Sequence, residues 1–313
     1  RLQGDWSSDV CSSDLSFLAV GLMSSNAGAQ GAYVNVGAGF GFGDGSMSDY
    51  NTEYVSTDGV VSVDKQTAVF GSLGSGLNVG AGFGFMFNEN FGAELGVNYL
   101  IGSTFTTTED RTTTSTVAGS GGGGSITTTS NSAFTSSMSA NMLRINPSLV
   151  IMGNGDKIKP YAKFGVMLGF GSATSTDKDV STTTSTGSAT TTSEYNTTME
   201  MTGGIGFGFS GALGAAYGLS DNMSLFAELN MNNMSWAPMT NTITAVSVDG
   251  VDQLALSPAP TVFDLQTNYV DEITATSNTY SNPIRDDTSP RDELKSKVGV
   301  GSVGINIGLK ISF

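Results

Sequence analysis

Eight times along this chain, apolar residues alternate with small or polar ones over about ten positions, a period of two that puts side chains on opposite faces of a β-strand. The first segment runs from Tyr33 to Phe42, with Val34, Val36, Ala38, Phe40 and Phe42 on one face and Asn35, Gly37, Gly39 and Gly41 on the other. The second repeats it with Leu77, Val79, Ala81, Phe83, Phe85 and Phe87 against Asn78, Gly80, Gly82 and Gly84. In the third, Glu94, Gly96 and Asn98 oppose Ala93, Leu95, Val97, Tyr99 and Ile101; in the fourth, Arg144, Asn146 and Ser148 oppose Leu143, Ile145, Leu149 and Ile151. The fifth turns Lys163, Gly165 and Met167 away from Ala162, Phe164, Val166, Leu168 and Phe170, and the sixth sets Ile205, Phe207 and Phe209 between glycines. The seventh sets Leu225, Ala227, Leu229 and Met231 against Glu228, Asn230 and Asn232, and the eighth runs from Val303 to Phe313 with Gly304, Asn306, Gly308, Lys310 and Ser312 on its second face.

In a soluble sandwich the second face is rich in charge, whereas here it is mostly glycine, asparagine and serine. That composition suits the interior of a narrow barrel, where small residues leave room for a few large polar ones. No run of some twenty apolar residues exists that could cross a membrane as a helix. The connections alternate between short (Asn88 to Asn90, Gly153 to Lys157, Gly218 to Asn222) and long (Gly43 to Gly76, Gly102 to Ser137, Gly171 to Thr197, Ala237 to Lys297). These features predict an all-β, up-and-down antiparallel transmembrane barrel of about eight strands, with short turns at one end and long extracellular loops at the other. The loops are rich in Thr, Ser and Gly and read as mobile. Two stretches look like strand extensions, Tyr54 to Val63 around Asp58-Gly59 and Thr261 to Thr274; if both reached the membrane the count would be ten.

At the N-terminus, Asp5 to Leu15 reads DWSSDVCSSDL and resembles a translated sequencing adapter, so residues 1–15 are set apart from the fold. They contain Cys11, the one cysteine. Ser16 to Met23 is a short apolar run leading to Ala27-Gly28-Ala29, so residues 16–29 read as the remnant of a secretory signal with an A-x-A cleavage site. The barrel domain is then 30–313, exported and stable without disulfides.

The alternating Gly-aromatic strands, KPYAKFGV at Lys159 to Val166, LSDNMSLFAELN at Leu219 to Asn230 and the terminal GINIGLKISF together resemble the small bacterial outer-membrane β-barrel domain family, the outer membrane protein A-like eight-stranded barrels. The resemblance implies residence in the outer membrane, contact with its lipid, and an assembly signal at the aromatic terminal residue, Phe313, read by the barrel-assembly machinery.

For chemistry the chain offers little. It has no histidine, the base or ligand that outer-membrane barrel hydrolases and acyl transferases use, and with neither His nor Cys in the barrel there are no ordinary triads or zinc and haem ligands. The expectation is no enzyme and no cofactor. Gly206-Phe207-Gly208-Phe209-Ser210-Gly211 formally matches a dinucleotide fingerprint, but the same Gly-Phe alternation recurs at Gly39 to Gly43 and Gly82 to Phe85, so these glycines are read as facing a lumen. The acidic pairs Asp271-Glu272, Asp286-Asp287 and Asp292-Glu293 lack EF-hand spacing and read as solvated surface rather than a metal site. With 28 acidic against 13 basic residues, no nucleic-acid partner is expected. Pro147, inside the fourth segment, implies a local bulge.

The alternation sends Glu94, Arg144, Lys163, Glu228 and Lys310 to the non-lipid face, with Glu200 in phase nearer the outside. Buried there, they are expected to pair with one another and with Asn98, Asn146, Asn230 and Asn306, plugging the lumen. Eight strands enclose a side-chain-filled interior, so the expected role is structural or surface-binding, adhesin-like, with an extracellular ligand taken by the loops. The alternative is a small passive porin.

Overall fold

A computed structural model describes residues 31–118 and 124–313; the adapter-like stretch and the signal remnant lie outside the described residues. Seventeen strand segments are present among the described residues: β1 (Ala32–Gly43), β2 (Met47–Thr57), β3 (Val60–Gly71), β4 (Gly76–Met86), β5 (Phe91–Gly102), β6 (Phe105–Val117), β7 (Ile126–Met152), β8 (Ile158–Ser185), β9 (Thr191–Thr202), β10 (Gly206–Gly218), β11 (Met223–Trp236), β12 (Thr240–Val248), β13 (Val251–Asp252), β14 (Gln266–Val270), β15 (Arg291–Leu294), β16 (Val298–Gly299) and β17 (Ser302–Ser312). One short helix, α1 (Val262–Leu265), precedes β14.

The segments exceed eight, yet the ring itself has eight members. Antiparallel ladders join β1 to β4, β4 to β5, β5 to β7, β7 to β8, β8 to β10, β10 to β11 and β11 to β17. The β1–β17 ladder, from Tyr33–Ser312 to Gly43–Ser302, closes the circle. Closure leaves no strand edge, and the side chains on the outer face are exposed aromatics and aliphatics such as Phe40, Phe83, Leu149, Phe164, Leu229 and Ile307. An apolar belt of that extent is not compatible with water and matches the hydrocarbon of a bilayer. The segment Thr261 to Thr274 forms α1 and β14 beside β12 and never enters the ring, so ten strands are excluded.

The turns at one end are short and locally wired. Between β4 and β5 the Asn88 carboxamide oxygen accepts from the backbone N–H groups of Asn90 and Phe91 at 2.9 and 2.8 Å. Pro147 does not create a bulge. The β7–β8 ladder omits Asn146 and Pro147 but resumes at Ser148–Gly165 in the register it had at Ile145–Leu168, so the missing donor costs ladder bonds without inserting a residue.

The other end overturns the expectation of mobile loops. β7 and β8 run on together from Ala140–Ala173 to Thr128–Ser185, about 40 Å past the ring at the usual rise per residue. Onto this pair are added β6 and β2 on one side and β9, β12, β14 and β15 on the other, with β3 as an outer edge. Thr is β-branched and favours a pleated surface, and facing hydroxyls bond across the strands: Thr128 with Ser185 at 2.8 Å, Ser130 with Thr183 at 3.0 Å. Low hydrophobicity therefore marks a solvated sheet here, not absence of structure. The β2–β3 hairpin turns at Asp58 and Gly59, both at positive φ (49° and 86°), as the Asp-Gly pair predicts. Between β14 and β17 the chain wraps fully buried Phe263, which meets Tyr280 edge-on at 4.9 Å between ring centroids, with the Arg285 guanidinium 5.0 Å over its face.

Closed ladders of this kind resist detergent. Protein extracted in detergent is expected to migrate faster on a gel unboiled than boiled; equal mobility, with helical circular dichroism, would exclude the ring.

Candidate functional site

The ring's inward face carries nearly all of its polar chemistry. Glycine lines much of β1, β4 and β17, and two large side chains lie across such positions: a Cβ on Gly37 would stand 2.9 Å from the Phe226 ring, and one on Gly214 2.6 Å from the Tyr161 ring. Small residues are thus what admits large side chains from the adjacent strand, as Tyr161 beside Gly214, or from the next strand but one, as Phe226 beside Gly37.

At the centre, Lys163 on β8 bridges two carboxylates from different strands, donating to Glu94 Oε1 at 2.9 Å and lying 3.3 Å from Glu228 Oε2. Glu94 also accepts from the Tyr33 hydroxyl and the Asn35 amide, each at 2.9 Å. Glu228 accepts from the Tyr161 hydroxyl at 2.9 Å and from the Asn306 amide at 3.1 Å, a contact set up by direct register of β11 with β17. Every buried carboxylate oxygen in this group therefore has a donor, which is what makes its burial tolerable.

The five predicted lumen charges all face inward, but they do not form one network. Arg144 pairs with neither acid. Its Nε donates to Asn98 Oδ1 at 2.7 Å and its Nη2 to Asn78 Oδ1, while Nη1 is buried without a protein partner. Register explains this: Arg144 sits opposite Asn98 on β5, whereas Glu94 lies four residues along that strand toward the turns. Lys310 also lacks an acid and places its ammonium 3.7 Å from the Tyr33 ring centroid, a cation–π contact. Glu200 is exposed on β9 in the outer sheet and has no part in the lumen. Of the expected asparagine partners, Asn98 and Asn306 bond charges, Asn146 accepts from Ser210 at 2.8 Å, and Asn230 accepts from Asn232.

Two features escaped the sequence. Tyr33 and Tyr161, donors to the acids, head their strands in phase with Asn35 and Lys163, so alternation could have placed them inside. The outer mouth is filled by an apolar cluster of Leu73, Leu100, Met142, Met167, Met234, Trp236 and Val300, all at most 2% exposed. Five of these (Leu100, Met142, Met167, Met234 and Trp236) share the lumen phase of Asn98, Arg144, Lys163 and Asn232; Leu73 and Val300 come from the stretches before β4 and β17, and no periodicity marks them. Toward the turns, Tyr33, Met86 and Val150 form one layer and Tyr161, Ala216 and Phe226 another. Between the outer cluster and these layers lies a polar compartment of about 110 Å³.

A family comparison agrees with this architecture. The family model described as outer membrane protein beta-barrel domain matches residues 15–249. The chain belongs to this family. Among solved structures, the outer membrane protein OprG from Pseudomonas aeruginosa is similar, at 13% identity over 91% of this chain and 97% of its own, with a TM-score of 0.35. No curated protein matches the sequence. In outer-membrane barrels generally the short turns are periplasmic and the long connections extracellular.

Lys163 is the keystone of the acid pair, its side chain 14% exposed against 8% and 9% for Glu94 and Glu228. Lys163→Met strands both carboxylates and is expected to lower stability by about 3–5 kcal/mol, the usual cost of breaking a buried pair. Adding Glu94→Gln should recover part of that loss, because it removes one stranded charge. Unfolding midpoints in detergent check both; an unchanged midpoint for Lys163→Met would show that the bridge contributes nothing.

Proposed function

We propose that this outer-membrane protein is a surface-binding, adhesin-like protein whose barrel is an anchor and whose outer sheet carries the recognition surface for an extracellular ligand. The observation that carries the reading is the pairing of an interior blocked by apolar layers at both ends with a broad Thr/Ser-faced sheet projecting from one side of the ring. A blocked lumen does not suit a passive pore, and a rigid sheet standing clear of the bilayer suits contact with other surfaces. Neither histidine nor a barrel cysteine is present to support a catalytic site, and the reading includes no enzyme and no cofactor. Export by the signal remnant at 16–29 and insertion by the barrel-assembly machinery, with Phe313 as its signal, belong to the same proposal. Phe313 suits that role: its ring is exposed while its backbone N–H bonds Ala32 O at 2.9 Å across the closing seam.

Whole cells bearing intact protein, probed with glycan and protein arrays, should bind a ligand that cells bearing a barrel lacking residues 107–135 do not. Equal binding by both would remove the sheet from the function. In planar bilayers the intact protein should give no large, stable conductance, and such a conductance would favour the porin reading instead. Deleting Phe313 should reduce the amount assembled in the outer membrane, and assembly at the normal level would place the signal elsewhere.

A further inference from the structure

The polar compartment of the barrel is lined on one side by Glu94, Lys163 and Glu228, whose carboxylate oxygens all have donors, and on the other by Arg144 and a group of asparagines, among which Asn306 Oδ1 is an acceptor without a partner among the described residues. Arg144 is 1% exposed, its guanidinium stays charged, and Nη1 has no partner among the described residues. It lines the 110 Å³ compartment together with Asn98, Asn146 and Asn230. Each of these three asparagines has its carbonyl oxygen occupied by a protein donor: Asn98 by Arg144, Asn146 by Ser210, Asn230 by Asn232. Arg144 can only donate, which fixes the Asn98 amide with its nitrogen turned away from the guanidinium. The amide nitrogens of Asn98, Asn146 and Asn230 make no hydrogen bond to another described residue. The charge balance points the same way. Arg144, Lys163 and Lys310 stand against Glu94 and Glu228, and both acids are engaged by Lys163. Lys310 also lacks an acid, but its ammonium lies against Tyr33 toward the short turns and does not line the compartment, so the cation without an acid partner that faces the compartment is Arg144.

The geometry points to a small-anion site inside the barrel, in which Arg144 Nη1 and the asparagine amides hold one monovalent anion, a halide or a small planar oxyanion. The compartment's size excludes sugar acids and larger carboxylates. A bound anion would neutralise a buried cation that otherwise bonds only neutral amides, and would tie β5, β7 and β11 together through their side chains. The site is structural and separate from the surface reading above.

Because the apolar layers slow entry, the protein is refolded into detergent in the presence of each salt. Sodium chloride, bromide and nitrate are compared with sodium gluconate at equal ionic strength. The expected result is a saturable rise in thermal midpoint of about 3 °C in the small-anion salts at tenfold excess over Kd. Arg144→Met should abolish the rise while Lys310→Met keeps it. If Arg144→Met does not refold, crystals of the unaltered protein grown in bromide give the second readout, an anomalous peak within hydrogen-bonding distance of Arg144 Nη1. Coincident midpoints in all four salts, a rise that never saturates, or bromide confined to the outer surface would each overturn the site.

Discussion

In hydrocarbon an unpaired backbone N–H or C=O has no water to fall back on, and a sheet survives there only if its last strand bonds its first. The ladder from Tyr33–Ser312 to Gly43–Ser302 meets that requirement, and most other features of the molecule follow from it. Once β1 and β17 are joined, the two faces of each ring strand become unequal environments. A one-residue slip would exchange lipid-facing Phe40 or Ile307 for Gly39 or Asn306, so register and side-chain pattern enforce each other. The same logic explains how β7 tolerates Pro147. The ladder to β8 is interrupted for two residues, but the β5–β7 ladder runs through the same positions and holds the register.

Closing eight strands also sets the size of the interior, and that size decides how its charges are arranged. With glycine on much of one wall, a long side chain can reach across to a strand that is not its neighbour. Lys163 does so toward both Glu94 and Glu228. The result is a stack of layers: tyrosine, methionine and phenylalanine near the turns, then the acid–lysine group, then the Arg144 amide shell, then the methionine-rich outer cluster. Each charged layer is shielded from bulk water by an apolar one, which strengthens its internal hydrogen bonds and raises the cost of any that are left unmade.

How much of this was legible depended on whether a residue obeys the period of two. The ring strands, their lipid and lumen faces, the short turns and the inward direction of all five charges follow from alternation alone. Who pairs with whom does not, because partner choice depends on cross-barrel distance and strand register. Arg144 and Glu94 share a face and have opposite charge, yet register sets Arg144 beside Asn98 instead. The outer cluster was visible in part: Leu100, Met142, Met167, Met234 and Trp236 are in phase with the lumen, while Leu73 and Val300 are brought in by tertiary contacts, their backbone N–H groups bonding Gly299 O and Met234 O. The long connections were misjudged because composition was read as disorder. Thr and Ser cannot build a core, but they can face one another across a ladder, and a ladder that continues from an already folded ring needs no core to nucleate it.

That continuation is uneven around the ring, and the unevenness has a physical origin. β7 and β8 are joined by a short turn and keep one register along their whole ladder, which is continuous from Ile145–Leu168 to Thr128–Ser185, so their pairing propagates outward without a break. Their neighbours change partner at identifiable points. β5 gives way to β6 at Gly102-Ser103-Thr104, β10 takes over from β9 at Gly203-Gly204-Ile205, and β11 passes to β12 at Ala237-Pro238-Met239. Gly203 and Gly204 both take positive φ (77° and 73°), a conformation that bends the chain at little cost only where there is no Cβ. On the opposite side, β1, β4 and β17 stop at the rim, where Leu73 and Val300 fold over the mouth instead of extending the wall. The outer sheet is therefore open where the ring is closed, and ends in edge strands such as β3, with Val60, Val61 and Phe70 exposed. Such an edge would be forbidden within the bilayer and is tolerated in water, where solvent satisfies its free backbone groups. The boundary between closed ring and open sheet thus coincides with the boundary between lipid and water, and the glycine and proline breaks at 102–104, 203–205 and 237–239 are where the chain passes from one regime to the other.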